Sequence, residues 1–412
     1  MMKTTSNVIR LLFGIAVLSM IASVAIAQPA TGTVKKFAIK SAVLGEERVI
    51  LVRTPAGYET SKVSYPVLYM TDGDAHMAHT ASTIEFLARN GRMSEMIVVG
   101  IVNTDRTRDL TPEKASRADG AGGQFPTAGG ADNFLKFIET ELIPEIEKRY
   151  RVAPYRMLAG HSFGGLFTVH VMVTRPDLFK SYVAVSPSLQ WADEATLKKA
   201  EEFLKTRKEF NATLFTSLGN EPGDIGDSFD LFRQALSKSQ IKGFDWQAEQ
   251  LKDEDHGSVV LRSHYLGLRK VYDGWQLSRD AQSGAMGGGL KGVQEHYQKL
   301  SQKFGFEIPV PEGLVNQIGY QYLAAGKDED AIAAFKSNVE HYPNSANVYD
   351  SLAEAYERGG KIELATPLYE KAQQLGKQNN DPNAAVFAQN YARAAEKMKQ
   401  ADAAAAAKKN NP

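Results

Sequence analysis

From about residue 34 to 275, short apolar runs alternate with amphipathic stretches. RVILVRTP (48–55), YPVLYMTDG (65–73), EMIVVGIV (95–102), YRMLAG (155–160), SYVAVSP (181–187) and ATLFTSLG (212–219) are rich in Val, Leu and Ile, and several stop at Gly, Pro or Asp. Runs of this composition and length predict buried strands. Between them, ADNFLKFIETELIPEIEKRY (131–150) carries Phe134, Phe137, Ile138, Leu142 and Ile146 at helical spacing. Strands alternating with helices predict an α/β domain whose mostly parallel sheet has helices on both faces. Ligands of such folds sit beyond the carboxyl ends of the strands. Residues 103–130, NTDRTRDLTPEKASRADGAGGQFPTAGG, break the rhythm. A loop this long, polar and Gly-rich is expected to be functional or disordered.

The pattern changes near residue 276. SRDAQSGAMGGGLKG reads as a linker, VQEHYQKLSQKFG as a short helix and FEIPVPEG as a Pro-bearing break. Gly319, Tyr322, Gly326, Ala331 and Phe335 then recur 34 residues on as Ala353, Tyr356, Gly360, Ala365 and Tyr369, while Pro343 is answered by Lys377. This period and residue order resemble the tetratricopeptide repeat, in which alanines let two helices approach and aromatics fill the groove between them. NAAVFAQNYARAAEKMKQ is expected to cap the array and ADAAAAAKKNNP to be a frayed tail. The expected units are residues 28–278 (α/β domain), 279–311 (linker and connecting helix), 312–400 (a small all-α repeat domain) and 401–412 (tail).

Composition narrows the picture little: 43% hydrophobic and 23% charged residues describe an ordinary globular chain. Lys+Arg and Asp+Glu both number 48, so nothing marks a nucleic-acid or anionic-membrane partner. Lys3 and Arg10 precede LLFGIAVLSMIASVAIA, and Ala25-Ile26-Ala27 ends it. That order predicts a signal peptide (1–27) cleaved after Ala27, a periplasmic or secreted protein, and no stable membrane insertion afterwards. The chain has no cysteine, which excludes a lipoprotein anchor, disulfides and a thiol nucleophile.

The candidate chemistry begins at Gly160-His161-Ser162-Phe163-Gly164, a G-x-S-x-G match with a strand pattern before it and the apolar LFTVHVMV after it. A nucleophile elbow needs that strand, tight turn and helix. Serine needs a base, and the order for an α/β-hydrolase is Ser, acid, His. His256, in the polar loop KDEDHGSVV after the strand-like FDWQAEQL, is the candidate base. His170, His161, His296 and His341 lie elsewhere, and His264 reads as a satisfied surface histidine on a helix. The loop GNEPGDIGDSFD follows a strand and offers the acid. Glu221 stands nearest the strand end, Asp224 is the alternative, and a Ser–His dyad without an acid stays open; Asp227 or Ser228 suits a helix N-cap. Two backbone N–H groups should form the oxyanion hole: that of Phe163, and one from Thr71-Asp72-Gly73-Asp74, assigned to Asp74. Reading Asp72, Asp74, His76 and His79 as metal ligands is the weaker alternative, and this chemistry requires neither metal nor cofactor.

VLYMTDGDAH, NTDRTRDLTP, AGHSFGGLFTVH, AVSPSLQW and DHGSV, in this order, resemble an esterase group of α/β-hydrolases. The group includes enterochelin (siderophore trilactone) esterases, esterase D-type enzymes and, remotely, mycobacterial mycolyltransferases. The resemblance covers about 34–275. It implies a serine carboxylic-ester hydrolase with Ser162 and His256 in its site and Asp74 as a loop donor; some relatives lack a functional acid. It also implies that Arg106, Arg108 and Asp109 stand at the site entrance, and that Trp191 forms an aromatic wall. The expected substrate is a siderophore ester, with feruloyl or acetyl polysaccharide esters and acyl transfer as alternatives. A reading of another class has the repeats dock a protein partner, or self-associate, beside a vestigial hydrolase.

Overall fold

The computed structural model describes residues 34–59, 62–114, 125–278 and 287–409. Its centre is an eight-stranded sheet in the order β1-β2-β4-β3-β5-β6-β7-β8. The strands are β1 (Val34–Ser41), β2 (Glu46–Arg53), β3 (Tyr65–Met70), β4 (Ile97–Ile101), β5 (Val152–His161), β6 (Ser181–Val185), β7 (Glu209–Leu218) and β8 (Lys242–Gln250). β1 pairs antiparallel with β2 and β2 with β4; all other neighbours are parallel. Every residue of β3, β4 and β6 is buried, because helices cover both faces and leave no polar side. Edge strand β1, which the apolar-run reading missed, is half polar and mostly exposed.

Helices α3 (Ala131–Phe137), α4 (Ile143–Arg149), α5 (Phe163–Thr174), α6 (Trp191–Thr206) and α7 (Asp224–Lys238) cover one face, with Phe134, Leu166, Leu197 and Phe232 in a shared core. On the other face lie α1 (Gly73–Arg89), α8 (Val259–Val271) and α9 (Gly289–Phe304), whose Met77, Ile84, Leu268 and Phe304 form a second core. The helix expected over 131–150 is interrupted by a π-helical segment, Ile138–Leu142. Pro144 follows within the next turn and has no N–H to continue the ladder. The loop expected over 103–130 contains a short helix, α2 (Arg106–Leu110), capped by the Asp105 side chain; residues 115–124 lie outside the described residues.

The connecting helix α9 belongs physically to the α/β domain. Phe304 lies 4.9 Å (centroid to centroid) from the rings of both Tyr155 and Tyr272. Beyond it come α10 (Glu312–Ala324), α11 (Asp328–His341), α12 (Ala346–Arg358), α13 (Ile362–Gln378) and α14 (Ala384–Lys409). The α10/α11 pair restarts as α12/α13 after 34 residues. Ala331 and Ala365 are buried between helices, as are Phe335 and Tyr369. A Cβ on Gly319 would stand 2.4 Å from the Phe335 ring, so this helix crossing needs glycine. Residues 401–409 of the expected tail continue α14 instead, as their alanines favour helix; 410–412 lie outside the described residues. No described helix is long and apolar enough to cross a membrane, and the expected signal peptide lies outside the described residues.

Candidate active site

β5 ends at His161 and α5 begins at Phe163, leaving Ser162 alone in the turn with φ 60° and ψ −116°. Positive φ strains a residue that has a Cβ by about 1–3 kcal/mol and survives only where its surroundings impose it. Here the Ser162 N–H donates to the Val185 carbonyl (2.9 Å), and the Ser162 carbonyl accepts from the N–H groups of Leu166 (2.9 Å) and Ser188 (3.3 Å). A Cβ on Gly160 would stand 2.2 Å from the Gly164 carbonyl oxygen, and one on Gly164 would stand 2.3 Å from Thr71 Oγ1. Both glycines of the motif are thus required by close approach of strand, helix and the loop after β3. Ser162 Oγ lies 3.4 Å from Ser188 Oγ.

Glu221 stands just beyond β7 and is 8% exposed. Its Oε2 accepts from His256 Nδ1, while Oε1 accepts from Ser186 Oγ (2.6 Å) and the Gly219 N–H (3.0 Å). Burial opposes the charge, but the bonds from His256, Ser186 and Gly219 outweigh it and hold the carboxyl below the usual range. Asp224 is exposed at the first residue of α7, so Glu221 is the carboxylate that meets His256. With Gly223 at its N-cap, α7 places Asp227 and Ser228 inside the helix, not at its cap. The His256 loop is braced by Asp255, which accepts from the Gly257 and Ser258 N–H groups, both at 2.8 Å. The His256 ring packs 4.7 Å from that of His161, beside the elbow.

Asp72 caps α1 in the left-handed region (φ 52°) and is buried. Its carboxylate accepts from Arg106 Nε (2.6 Å) and Nη2 (3.2 Å) and from Asn103 Nδ2 (2.6 Å). Burial raises its pKa, yet these donors bring the net shift down. Arg106 Nη2 also donates to the His161 carbonyl (3.1 Å), and the guanidinium lies over the Phe163 ring. Arg106 therefore ties the loop after β3 to the elbow. Asp74 and Phe163 lie in the first turns of α1 and α5, where backbone N–H groups lack intrahelical acceptors.

Two of the expected entrance residues face elsewhere. Asp109 is 1% exposed and accepts from Arg48 Nη1 (2.6 Å) and Arg108 Nε (2.8 Å). Arg108 also bonds Glu46, so this ion network fastens α2 to β2. Trp191 is 7% exposed, donates Nε1–H to the Glu113 carbonyl (2.9 Å) and packs edge-on against Phe163 and Phe125. It fills the core behind the site instead of offering a free face.

A histidine cluster beneath the elbow escaped the sequence reading. His76 lies 5.2 Å from His79, 5.8 Å from His161 and 6.1 Å from His264, ring to ring. His264, expected at the surface, is 3% exposed and shares a hydrogen bond with Thr80 Oγ1 (2.8 Å). The signal was present: His264 follows Val260 and precedes Leu268 by four residues, on the buried stripe of α8. Among the described residues, no three His, Asp or Glu side chains are placed to hold a metal ion. His170, His296 and His341 have local partners in Asp132, the Trp275 carbonyl and the Ser337 carbonyl.

Desolvation keeps this cluster neutral. It pushes His161 down to about 4, with His256 and His76 adding to the effect, and lowers His264, with His79, His76 and His161 adding to the effect. Around His76, desolvation and Arg106 outweigh Asp72 and Asp74, and burial also lowers His79. The unfolded chain takes up these protons near pH 6.5, whereas the folded protein resists them. The stability so contributed is complete above about pH 6.5 and is lost as pH falls. The free energy of urea unfolding should fall by about 1.4 kcal/mol per pH unit for His161 as pH drops from about 6.5 to 5, and the other three histidines should steepen the loss. A flat profile over that range would refute this reading.

The Putative esterase family matches residues 41–256, over half of the chain. The ferri-bacillibactin esterase BesA of Bacillus subtilis is 35% identical over 238 residues, 52% of this chain and 82% of that protein. The siderophore triacetylfusarinine C esterase of Aspergillus fumigatus is 34% identical over 271 residues, 56% of this chain and 90% of that protein. An IroE-like serine hydrolase from Shewanella oneidensis superposes with a TM-score of 0.60 at 27% identity, covering 83% of this chain and 99% of its own. A serine in a strained strand–helix turn, a histidine–carboxylate pair beside it and these matches lead to one conclusion: the chain belongs to the Putative esterase family and is a serine esterase.

Proposed function

We propose that this protein is an exported hydrolase of siderophore esters that works through an acyl-enzyme on Ser162. The observation that carries the mechanism is the Glu221–His256 contact beside the elbow. With Nδ1–H donated to Glu221, the His256 ring exposes Nε2 as the basic atom. Ser162 Oγ attacks the ester carbonyl carbon as Nε2 takes its proton. The tetrahedral oxyanion receives the N–H groups of Phe163 and Asp74. The C–O bond of the leaving alcohol breaks and the alcohol departs with the proton from His256. Water then attacks the acyl carbon with its proton passing to Nε2, and the acid leaves as Ser162 Oγ regains a proton. Arg106 is the cation of the entrance residues that stands beside this route; Arg108, Asp109 and Trp191 are not included as substrate contacts.

The substrate class rests on two relatives whose names specify siderophore esters. Export rests on the basic, apolar and Ala-x-Ala order of residues 1–27. The helical pairs of the C-terminal region keep tetratricopeptide spacing, which supports a packing or docking module. Bacillibactin and triacetylfusarinine C, iron-loaded and iron-free, should be cleaved to linear products separable by chromatography. Turnover of feruloyl or acetylated sugars in preference to all four would reject the siderophore class and leave the esterase intact.

A further inference from the structure

The Ser186-Pro187-Ser188 loop after β6 touches both ends of the proposed relay. Ser186, with φ 39°, is fully buried; its N–H donates to the Ser217 carbonyl (2.7 Å) and its hydroxyl to Glu221 Oε1 (2.6 Å). Two residues on, Ser188 is 4% exposed. Its N–H donates to the Ser162 carbonyl (3.3 Å), and its Oγ stands 3.4 Å from the nucleophilic Oγ. Between them, Pro187 packs against the start of α5: a Cβ on Gly165 would stand 2.9 Å from Pro187 Cα. The loop is thus wedged against the elbow helix, and its two hydroxyls reach the acid and the nucleophile.

We infer that Ser188 is a further catalytic residue, whose hydroxyl donates a hydrogen bond to Ser162 Oγ. This inference rests on the Ser162 reading above. Only one proton can lie between the two hydroxyls. If Ser162 gave its own proton to Ser188, none would be left for His256; with Ser188 as donor, the Ser162 O–H stays free for His256 Nε2. The 3.4 Å separation is long for an O–H···O bond, and such contacts tighten in the reacting complex. The gain falls in both half-reactions. In acylation the bond stabilises Oγ as its proton leaves for Nε2 and the Oγ–carbon bond forms. In deacylation it stabilises Oγ as that bond breaks and before the proton returns from His256. Ser188 gives up no proton in either step. Ser186 is a positioning residue, acting through Glu221.

The test is pre-steady-state hydrolysis of p-nitrophenyl acetate with parallel fluorophosphonate labelling, the adduct located by mass spectrometry. Ser188→Ala should slow labelling, acylation and deacylation by about tenfold or more each, with an unchanged melting temperature. Ser188→Cys is near-isosteric and has only a weak S–H donor; it should show the same loss even if the alanine variant packs poorly. Ser186→Ala should instead lower kcat with KM unchanged, and Ser186→Thr, which keeps a hydroxyl for Glu221, should recover part of the loss. Wild-type rates in a folded Ser188→Cys protein overturn the role of Ser188 while leaving Ser162 standing. An adduct on Ser188, or no labelling of the wild type, overturns the Ser162 reading itself.

Discussion

Ser162→Ala is expected to lower ester hydrolysis by about 10⁴–10⁶-fold in kcat and to abolish fluorophosphonate labelling. Fold and binding should survive, because the imposed conformation depends on backbone bonds to Val185, Leu166 and Ser188 that alanine keeps. Alanine also retains the Cβ, so the strain at φ 60° is neither added nor relieved. The check is paired: circular dichroism and melting temperature should match the wild type while turnover falls to the level left by the oxyanion donors. Labelling of the alanine variant at the wild-type rate would remove Ser162 from the mechanism.

Glu221→Gln should cost about 10³–10⁴-fold in kcat with little change in KM. The amide can turn its NH₂ toward His256 Nδ1, which then accepts, and the ring proton moves to Nε2. In that tautomer Nε2 cannot take the serine proton. The variant should remain folded, since the amide oxygen can still accept from Ser186 and Gly219. Asp224→Asn is the control: an exposed carboxylate at the start of α7 should leave kcat within about twofold. Equal losses in the two variants would reject the assignment of Glu221 as the acid.

How legible the site was depended on how local each part is. The elbow could be read from one segment, because G-x-S-x-G between an apolar run and an apolar helix already states strand, tight turn and helix. His256 is proposed as the base from its loop after the last strand pattern, and the fold places it beside the elbow. The choice between Glu221 and Asp224 was not local, since the two intervening residues, Pro222 and Gly223, determine nothing about which carboxylate meets a loop from β8. The loop after β7 brings Glu221 to His256 by folding back until the Asn220 N–H bonds the Glu254 carbonyl (2.6 Å). Ser186 and Ser188 were invisible for the same reason: a Ser-Pro-Ser turn has no meaning until β6 is laid between β5 and β7.

The entrance residues show the same limit from the other side. Arg106, Arg108 and Asp109 lie within four residues and are similarly polar, yet one stands beside the elbow and the others enter a network with Arg48 and Glu46. Which carboxylate each arginine meets depends on where β2 and α1 run, because ion pairs join side chains from distant segments. His264 lay on a readable apolar stripe, but its neutrality follows from the packing of α1, the elbow and α8 around it. By itself the sequence determined the strand–helix alternation, the elbow and the 34-residue helical period, because each is written in short-range spacing. The tertiary structure decided the meeting of Glu221 with His256, the tie between Asp72 and Arg106, the buried histidines and the paired serines, because those depend on contacts between residues far apart in the chain.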